Sequence, residues 1–322
     1  MSNLAIVNSI KDSDEWNSYI KKCKIKSLTQ SWNYGLAKQE AEGWAICRYV
    51  VYDGHASPIA LFQVLFKKIP LIGGICRINK GPLIIHNNKN DEDLSLYAIE
   101  AITKKLRKER FWMIQFAPLL GPSIYIDNGL KKIGFKKTKH PPQDSGLISL
   151  AENEDEIMLA FKKSVRNTLR KAIRNIHVKS SDNGHDFIDL LLEQYNAQQL
   201  EKEFEGTSDK MLRALLNNQS DDFKCNILVG YLDEDGPPIG VLLSIQHHDF
   251  SEYVVGVSND IGRKNNVSTL LLWAAMIASK NNGGLWFDVG GLNEFTTSGI
   301  ARFKNGFRPQ LYSLCGEWRK WF

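Results

Sequence analysis

The two halves of this 322-residue chain carry the same series of short motifs in the same order. Each series has a strand run that begins with Pro-Ile, then a helix, a short apolar strand and a Lys-x-Gly-Phe ending. Pro58 corresponds to Pro238, and Phe135 corresponds to Phe307. Four elements in one order favour duplication, so we expect two domains of one architecture. Two unrelated α+β domains are the alternative interpretation.

Each half is predicted to contain a hairpin followed by a helix and a further strand. Runs rich in β-branched and aromatic residues, separated by turn residues, occur at 46–52 and 59–66, and again at 227–231 and 239–245. The helix in the first half has apolar residues at four-residue spacing, whereas the helix in the second half is apolar on every side and should be buried. The predicted fold class is α/β with mixed sheets.

The expected domain limits follow from the repeat. The first domain is placed at residues 1–150, and the second domain, which begins with a basic helix, at 151–307. The remaining tail, 308–322, is a candidate to pack back on the first domain.

Composition excludes several classes of protein. Hydrophobic residues make up 43% and charged residues 24%, which is typical of a globular chain and not of a disordered one. The longest apolar run, 269–278, is shorter than the ~20 residues of a membrane span. No signal peptide is visible, and five scattered cysteines suggest neither disulfides nor a metal site. We therefore expect a cytoplasmic protein without a metal or a transmembrane segment.

One segment, residues 152–176, is strongly polarised. An apolar stripe at i, i+4 spacing is followed one residue later by a basic stripe that includes Arg166, Arg170 and Arg174. The net charge of +5 is modest, so this local cluster is more informative than the total. A solvated helix face is one interpretation; a phosphate-binding site is the other, because guanidinium groups bind phosphate oxygens in pairs.

Two motifs near the C-terminal end are candidates for chemistry. In WFDVGG, Asp288 ends an apolar strand before two glycines, which allows either close approach of a ligand or a tight turn. In GIARFKNGF, Phe303 and Lys304 lie between Gly299 and Gly306 in an expected loop. The lysine could stabilise a developing oxyanion, or it could be an exposed loop residue.

Taken together, a set of motifs resembles the FemABX-type family of aminoacyl and peptidyl transferases, within the GNAT acyltransferase superfamily. The set is QSWNYGLAK at 30–38, RINKGPL at 77–83, SVRNTLRKA at 164–172, WFDVGG and GIARFKNGF, in this order along nearly the whole chain. The resemblance implies tandem GNAT-like domains, which agrees with the repeat. It also implies a member without a long helical arm, because only a short helix at 188–202 follows the basic helix.

The resemblance also implies roles for individual residues. Lys304, beside Phe303, would stabilise the tetrahedral intermediate of acyl transfer. The acceptor-binding residues would be Lys38 after Trp32, the basic-helix residues Arg166 and Arg170, and Tyr253, with Asp288 as a further substrate-binding candidate. Gln115 stands where relatives often have a carboxylate, which leaves the general base unassigned.

The predicted function is transfer of an aminoacyl group from aminoacyl-tRNA to an amine of a phosphate-bearing cell-envelope precursor, either nucleotide- or lipid-linked. No tightly bound cofactor is expected, and association with the membrane would be peripheral. The first alternative is an acyl-CoA-dependent N-acyltransferase of an amino sugar in capsule or O-antigen synthesis. It is weakened because SNDIGRKNNVS, after Val257, is not a glycine-rich pyrophosphate loop. The second alternative is a non-catalytic RNA- or glycan-binding relative.

Overall fold

The computed structural model describes residues 5–85, 91–181, 184–204, 206–292 and 298–322. The chain divides into two compact units. Unit 1 contains Met1–Gln143 together with Ser313–Phe322, and unit 2 contains Asp144–Tyr312. The described part of the chain includes no helix of sufficient length and apolarity to cross a membrane.

Unit 1 is built on one mixed sheet. Its strands are β1 (Ile6–Ile10), β2 (Ala45–Tyr52), β3 (Pro58–Ile69), β4 (Gly73–Gly81), β5 (Leu83–Ile84), β6 (Phe111–Pro118), β7 (Lys136–Lys137) and, from the C-terminal segment, β15 (Trp318–Trp321). Its helices are α1 (Ser13–Ile20), α2 (Trp32–Glu42), α3 (Asp91–Lys108) and α4 (Ile124–Ile133). The sheet order is β1-β2-β3-β4-β6-β15-β7, with β5 beside β3.

Unit 2 has a second mixed sheet. Its strands are β8 (Asp144–Ser149), β9 (His177–Ser181), β10 (Phe223–Tyr231), β11 (Pro238–His247), β12 (Phe250–Ser258), β13 (Trp286–Asp288) and β14 (Gln310–Ser313). Its helices are α5 (Glu154–Ala160), α6 (Lys163–Asn175), α7 (Ile188–Lys202), α8 (Asp209–Asn217), α9 (Asp260–Asn265), α10 (Val267–Asn281) and α11 (Ser298–Asn305). The sheet order is β14-β8-β13-β12-β11-β10-β9.

The two sheets have the same plan. In each, four strands pair antiparallel in chain order, and a helix then leads to a fifth strand that pairs parallel to the fourth. The next position holds an antiparallel strand from elsewhere in the chain: β15 pairs with β6 in unit 1, and β8 pairs with β13 in unit 2. The structure thus has the tandem mixed α/β architecture that the repeat predicts.

Burial of apolar strands and helices stabilises each unit. The unit 1 core includes Phe62, Ile99, Phe111, Phe116 and Trp318, and the unit 2 core includes Phe161, Leu169, Leu271, Phe287 and Phe307. Helix α10 is buried over most of its length, as its uniformly apolar sequence predicts.

The domain limits differ from the expected ones by a few residues. The units separate after Gln143 instead of after residue 150, because β8 pairs with β13 and thereby groups with unit 2. At the other end, residues 308–312 group with unit 2, and the segment Ser313–Phe322 groups with unit 1 through β15.

Two local expectations also need correction. The polarised segment forms two helices, α5 and α6, because Phe161 ends α5 in extended backbone and is buried in the core. Lys304 lies on helix α11 and not in a loop, and its side chain is only 4% exposed. The interpretation of Lys304 as an exposed loop lysine was therefore wrong.

Candidate active site around Lys304

The parallel ladder between β12 and β13 ends just before the residues that contact Lys304. Their parallel ladder includes only Phe250–Trp286, Ser251–Phe287 and Glu252–Asp288, although β12 continues to Ser258. In unit 1, the corresponding ladder between β4 and β6 continues from Gly74 to Gly81. Among the described residues, β12 therefore continues beyond its ladder with β13, and we call the place where that ladder ends the opening between β12 and β13.

An irregularity in the β12 strand adjoins this opening. Leu243 of β11 pairs with Val255, but the next residue, Ser244, pairs with Tyr253, so Val254 is an extra residue in β12. A bulge of this kind bends a strand and redirects its side chains. It lies directly after Tyr253, whose ring lies beneath the Lys304 ammonium.

Lys304 is held in a cradle made by β12 and the WFDVGG segment. Its Nζ lies 4.6 Å from the centroid of the Tyr253 ring and donates to the Gly291 carbonyl at 3.2 Å. Gly290 has a φ of +74°, and a Cβ there would lie 3.3 Å from Nζ. Burial lowers the pKa of Lys304 from 10.5 to about 8, with Asp288 opposing the shift. The lysine is therefore mostly protonated at neutral pH but close to titration.

Asp288 is a buried carboxylate at the end of β13. It accepts hydrogen bonds from the hydroxyl of Ser145, from the Gly290 amide at 2.8 Å and from the hydroxyl of Tyr312 at 2.6 Å. Burial, followed by the charge of Asp288, raises the pKa of Tyr312, so its phenol is neutral and donates to the carboxylate. With its oxygens occupied and only 5% of the residue exposed, Asp288 is placed to fix the glycine turn rather than to contact substrate.

Phe303 packs into the unit 2 core. Its ring lies 5.5 Å from that of Phe307, edge to face, and Phe307 in turn packs on Phe161 at 4.9 Å. The Gly306 carbonyl also accepts from the Lys162 amide at 3.0 Å. These contacts anchor α11 and thereby the Lys304 side chain, which gives Phe303 a positioning role in this structure.

The two arginines of the basic helix α6 have different surroundings. Arg166 donates through Nη1 to the carbonyls of Leu159 at 3.0 Å and Phe161 at 2.6 Å, where α5 ends. Arg170 is exposed one turn later. Arg166 therefore also holds the junction of α5 and α6, and a role of either arginine in acceptor binding stays a prediction.

Trp32 and Lys38 lie on α2 of unit 1. The ring of Trp32 carries the guanidinium of Arg48 at 3.5 Å, and Lys38 Nζ pairs with Glu42 at 2.5 Å and lies 5.8 Å from the Tyr34 ring centroid. A phosphate that binds Lys38 would have to displace the Glu42 carboxylate or share the lysine ammonium with it. The predicted acceptor role of these two residues stays a prediction.

Sequence reasoning missed a polar network beneath α2. Arg48 is buried within β2 and donates to Gln63 Oε1 and to the Trp32 carbonyl, both at 2.8 Å. Burial lowers its pKa to about 9. Gly35 allows this packing, since a Cβ there would lie 2.5 Å from Gln63 Oε1. The sequence feature that could have indicated this network is an arginine and a glutamine, Arg48 and Gln63, within otherwise apolar strands. Tyr312 and Ser145, which had no such signal, were also missed.

Comparison with known proteins identifies one matching domain family. A GNAT acetyltransferase domain model matches residues 160–305, which includes β12, α10, β13 and Lys304. A search of curated protein sequences found no significant match.

Three solved structures share the fold over almost the whole chain. FemX has 16% identity and a TM-score of 0.81, with 98% of this chain and 97% of FemX covered. A tandem GNAT protein from the clavulanic acid biosynthesis pathway has 9% identity and a TM-score of 0.60, with 98% of each chain covered. The C-terminal domain of a protein from Agrobacterium fabrum, described as a lysylphosphatidylglycerol synthetase, has 10% identity and a TM-score of 0.55, with 96% and 92% covered.

These matches agree with the site described above. The FemABX-type resemblance of the motifs is confirmed at the level of the fold, and the matched domain contains the Lys304 cradle. The protein is an acyltransferase whose residues 160–305 match a GNAT acetyltransferase domain, and it shares its fold with FemX and with a tandem GNAT protein.

Proposed function

We propose that this protein transfers an aminoacyl group from aminoacyl-tRNA to an amine of a phosphate-bearing cell-envelope precursor in the cytoplasm. The observation that carries the proposal is the buried Lys304 ammonium in the cradle of Tyr253, Gly290 and Gly291, beside the opening between β12 and β13. A cation in a desolvated site stabilises developing negative charge far more than one in water.

The chemistry required is aminolysis of an ester. The acceptor amine attacks the ester carbonyl and forms the C–N bond, and the negative charge of the tetrahedral intermediate develops on the carbonyl oxygen beside Lys304. Collapse breaks the C–O bond, and the proton lost by the amine passes to the ribose oxygen that leaves. Because the ester is already activated, orientation of the amine and stabilisation of the oxyanion are the main requirements.

Two features support aminoacyl-tRNA over acyl-CoA as the donor. The segment leading into α10 is the short helix α9, followed by Asn266 with a φ of 62°, where a CoA enzyme would present a glycine-rich loop to the pyrophosphate. Proteins described as FemX and as a lysylphosphatidylglycerol synthetase share the fold. The second name refers to an aminoacylated product, which is the kind of product we propose here.

The acceptor is proposed to carry phosphate because of the basic residues predicted for it. Helix α6 presents Arg170 to solvent, and Arg166 uses one guanidinium nitrogen for α5, which leaves other donors on the same group. In unit 1, Lys38 and Trp32 are also predicted to be acceptor residues. The two proposed acceptors, a peptidoglycan precursor and a polysaccharide precursor, are distinguished by using each of them in the transfer experiment.

The donor is tested by incubating the purified protein with an amine acceptor and either radiolabelled aminoacyl-tRNA or radiolabelled acyl-CoA. We expect label in the acceptor only from aminoacyl-tRNA, and we expect ribonuclease treatment of the donor before addition to reduce this transfer. Transfer from acyl-CoA that resists ribonuclease would instead establish the acyl-CoA-dependent amino-sugar acyltransferase. The acetyltransferase description of the matched domain favours that enzyme as the second candidate.

A further inference from the structure

An apolar hairpin tip protrudes from unit 1. The turn between β3 and β4 is Pro70-Leu71-Ile72, and the register pairs Ile69 with Gly73. Leu71 is 96% exposed and Ile72 is 70% exposed, and Ile69 before them is also exposed. Isolated exposed apolar residues are ordinary, but consecutive ones at the tip of a hairpin form a patch that water does not stabilise.

Aromatic side chains extend this patch along the same end of the sheet. Trp112 is the second residue of β6 and Trp321 ends β15, and their exposed rings stack with centroids 5.5 Å apart. The hairpin turn lies against Trp112, because a Cβ on Gly73 would be 3.0 Å from Trp112 Cδ1. We call the residues Ile69, Pro70, Leu71, Ile72, Trp112 and Trp321 the hairpin patch.

Basic residues surround the hairpin patch. On β3, Lys67 Nζ lies 4.9 Å from the Trp44 ring centroid and Lys68 Nζ lies 4.3 Å from that of Phe111. The last turn of α3 carries Lys105, Arg107 and Lys108, and exposed Arg110 follows it. Glu109, an acidic residue in this region, is bound to Tyr49 and Lys105.

A basic groove of about 530 Å³ adjoins the patch at Trp321. Its lining consists of Lys136, Lys137, Thr138, Lys139, His140 and Arg319 with Trp321. Two carboxylates reduce the positive charge nearby: Asp127 pairs with Lys137 at 3.2 Å, and Glu317 lies 3.9 Å from His140. Basic side chains exceed acidic ones on this side of unit 1.

We propose that the hairpin patch inserts into the headgroup region of an anionic lipid bilayer, so that the protein is held at a membrane surface. Apolar and tryptophan side chains prefer the boundary between headgroups and acyl chains, and the surrounding lysines and arginines are attracted to anionic lipid. A nucleic acid would match the basic groove but would leave Leu71 and Ile72 in water. The proposal depends on unit 1 alone and stands whatever the donor or acceptor is.

Sedimentation with lipid vesicles tests this proposal on the full chain. We expect wild-type protein to bind vesicles that contain phosphatidylglycerol and to bind pure phosphatidylcholine vesicles at least about tenfold more weakly. Leu71→Asp and Ile72→Asp should each weaken binding to anionic vesicles by about tenfold or more. Leu71 has a φ of 67°, a conformation that aspartate tolerates, so its thermal unfolding should match wild type.

The matched control is Leu200→Asp on α7, since Leu200 is 82% exposed outside the hairpin patch. It should bind vesicles like wild type. Three results would overturn the proposal: no binding of wild type to anionic vesicles, equal binding by Leu71→Asp, or a wild-type dimer in solution that Leu71→Asp dissociates.

Discussion

At the scale of single residues, the site is defined by one buried amine and one buried carboxylate. Lys304 has carbonyl, aromatic and glycine neighbours, and Asp288 fixes the glycine turn through hydrogen bonds with Ser145, Gly290 and Tyr312. The sequence offered Lys304 and Asp288 as separate candidates. Their contact with one turn could not be predicted, because it depends on how α11 packs against β13.

The first prediction concerns stability. Below pH 8, Lys304 is protonated in both the folded and the unfolded chain, so folding must bury a charge. Between pH 8 and 10.5, the lysine is protonated in the unfolded chain but mostly neutral in the folded one. The free energy of unfolding therefore rises with pH in this range. Lys304→Met should therefore increase the free energy of unfolding at pH 7 by about 1–3 kcal/mol. Urea unfolding at pH 7 and pH 10 should show that this gain shrinks at the higher pH. A destabilised variant at pH 7 would contradict the buried charge.

The second prediction tests whether Asp288, besides fixing the glycine turn, also raises the pKa of Lys304. Because the Asp288 carboxylate raises the pKa of Lys304 against the effect of burial, Asp288→Asn should lower it further. Activity that requires the ammonium falls as pH rises through the lysine pKa, about 8 in the wild type. The alkaline limb of the pH–rate profile should therefore move to lower pH in Asp288→Asn.

Tyr312→Phe provides the control for Asp288→Asn. It removes one hydrogen bond to the carboxylate and leaves the charge in place. Its alkaline limb should stay closer to that of wild type, even if its rate is reduced. If the alkaline limb of Asp288→Asn is unchanged, Asp288 has a structural role and does not affect the pKa of Lys304.

At the scale of elements, helix α6 has two functions that substitution can separate. Arg166 stabilises the end of α5, whereas Arg170 is exposed, so Arg170→Ala tests acceptor binding without loss of that junction. We expect Arg170→Ala to raise the acceptor KM roughly tenfold, since a charge-assisted hydrogen bond to phosphate contributes ~1.5–3 kcal/mol. Arg166→Ala should raise KM and also lower the unfolding temperature.

Lys171→Ala is the matched control for the α6 variants, because it removes the same charge from an adjacent exposed position that lies about 100° away around the helix. Isothermal titration of the acceptor nucleotide gives the affinities. If Arg170→Ala and Lys171→Ala both bind like wild type, α6 is a solvated face.

The sequence predicted some elements well and others poorly, for physical reasons. Strands β10 and β11 and helix α7 follow from local periodicity, and α7 occupies the expected residues 188–202. The end of α5 at Phe161 and the helical state of Lys304 depend on packing against Phe307 and the core, which periodicity does not report. The apolar i, i+4 spacing of Ile157, Phe161 and Val165 continues across that break, so the two helices looked like one.

At the scale of the whole molecule, the repeat predicted two sheets of one plan but not which strands complete them. The sixth position in unit 1 is filled by β15, just over 200 residues after its partner β6. In unit 2 it is filled by β8, which precedes the rest of that unit. Short strands such as these carry little periodic signal, and their pairing is a long-range choice. The expected domain limits were displaced for this reason.

We propose that the second unit performs acyl transfer with Lys304 as the oxyanion-stabilising cation. Single-turnover transfer from labelled aminoacyl-tRNA, compared between wild type and Lys304→Met, measures this role of the lysine. We expect the variant to remain folded and to transfer ~10²–10³-fold more slowly, the effect typical of losing an oxyanion donor. Transfer by folded Lys304→Met at a rate near wild type would contradict it.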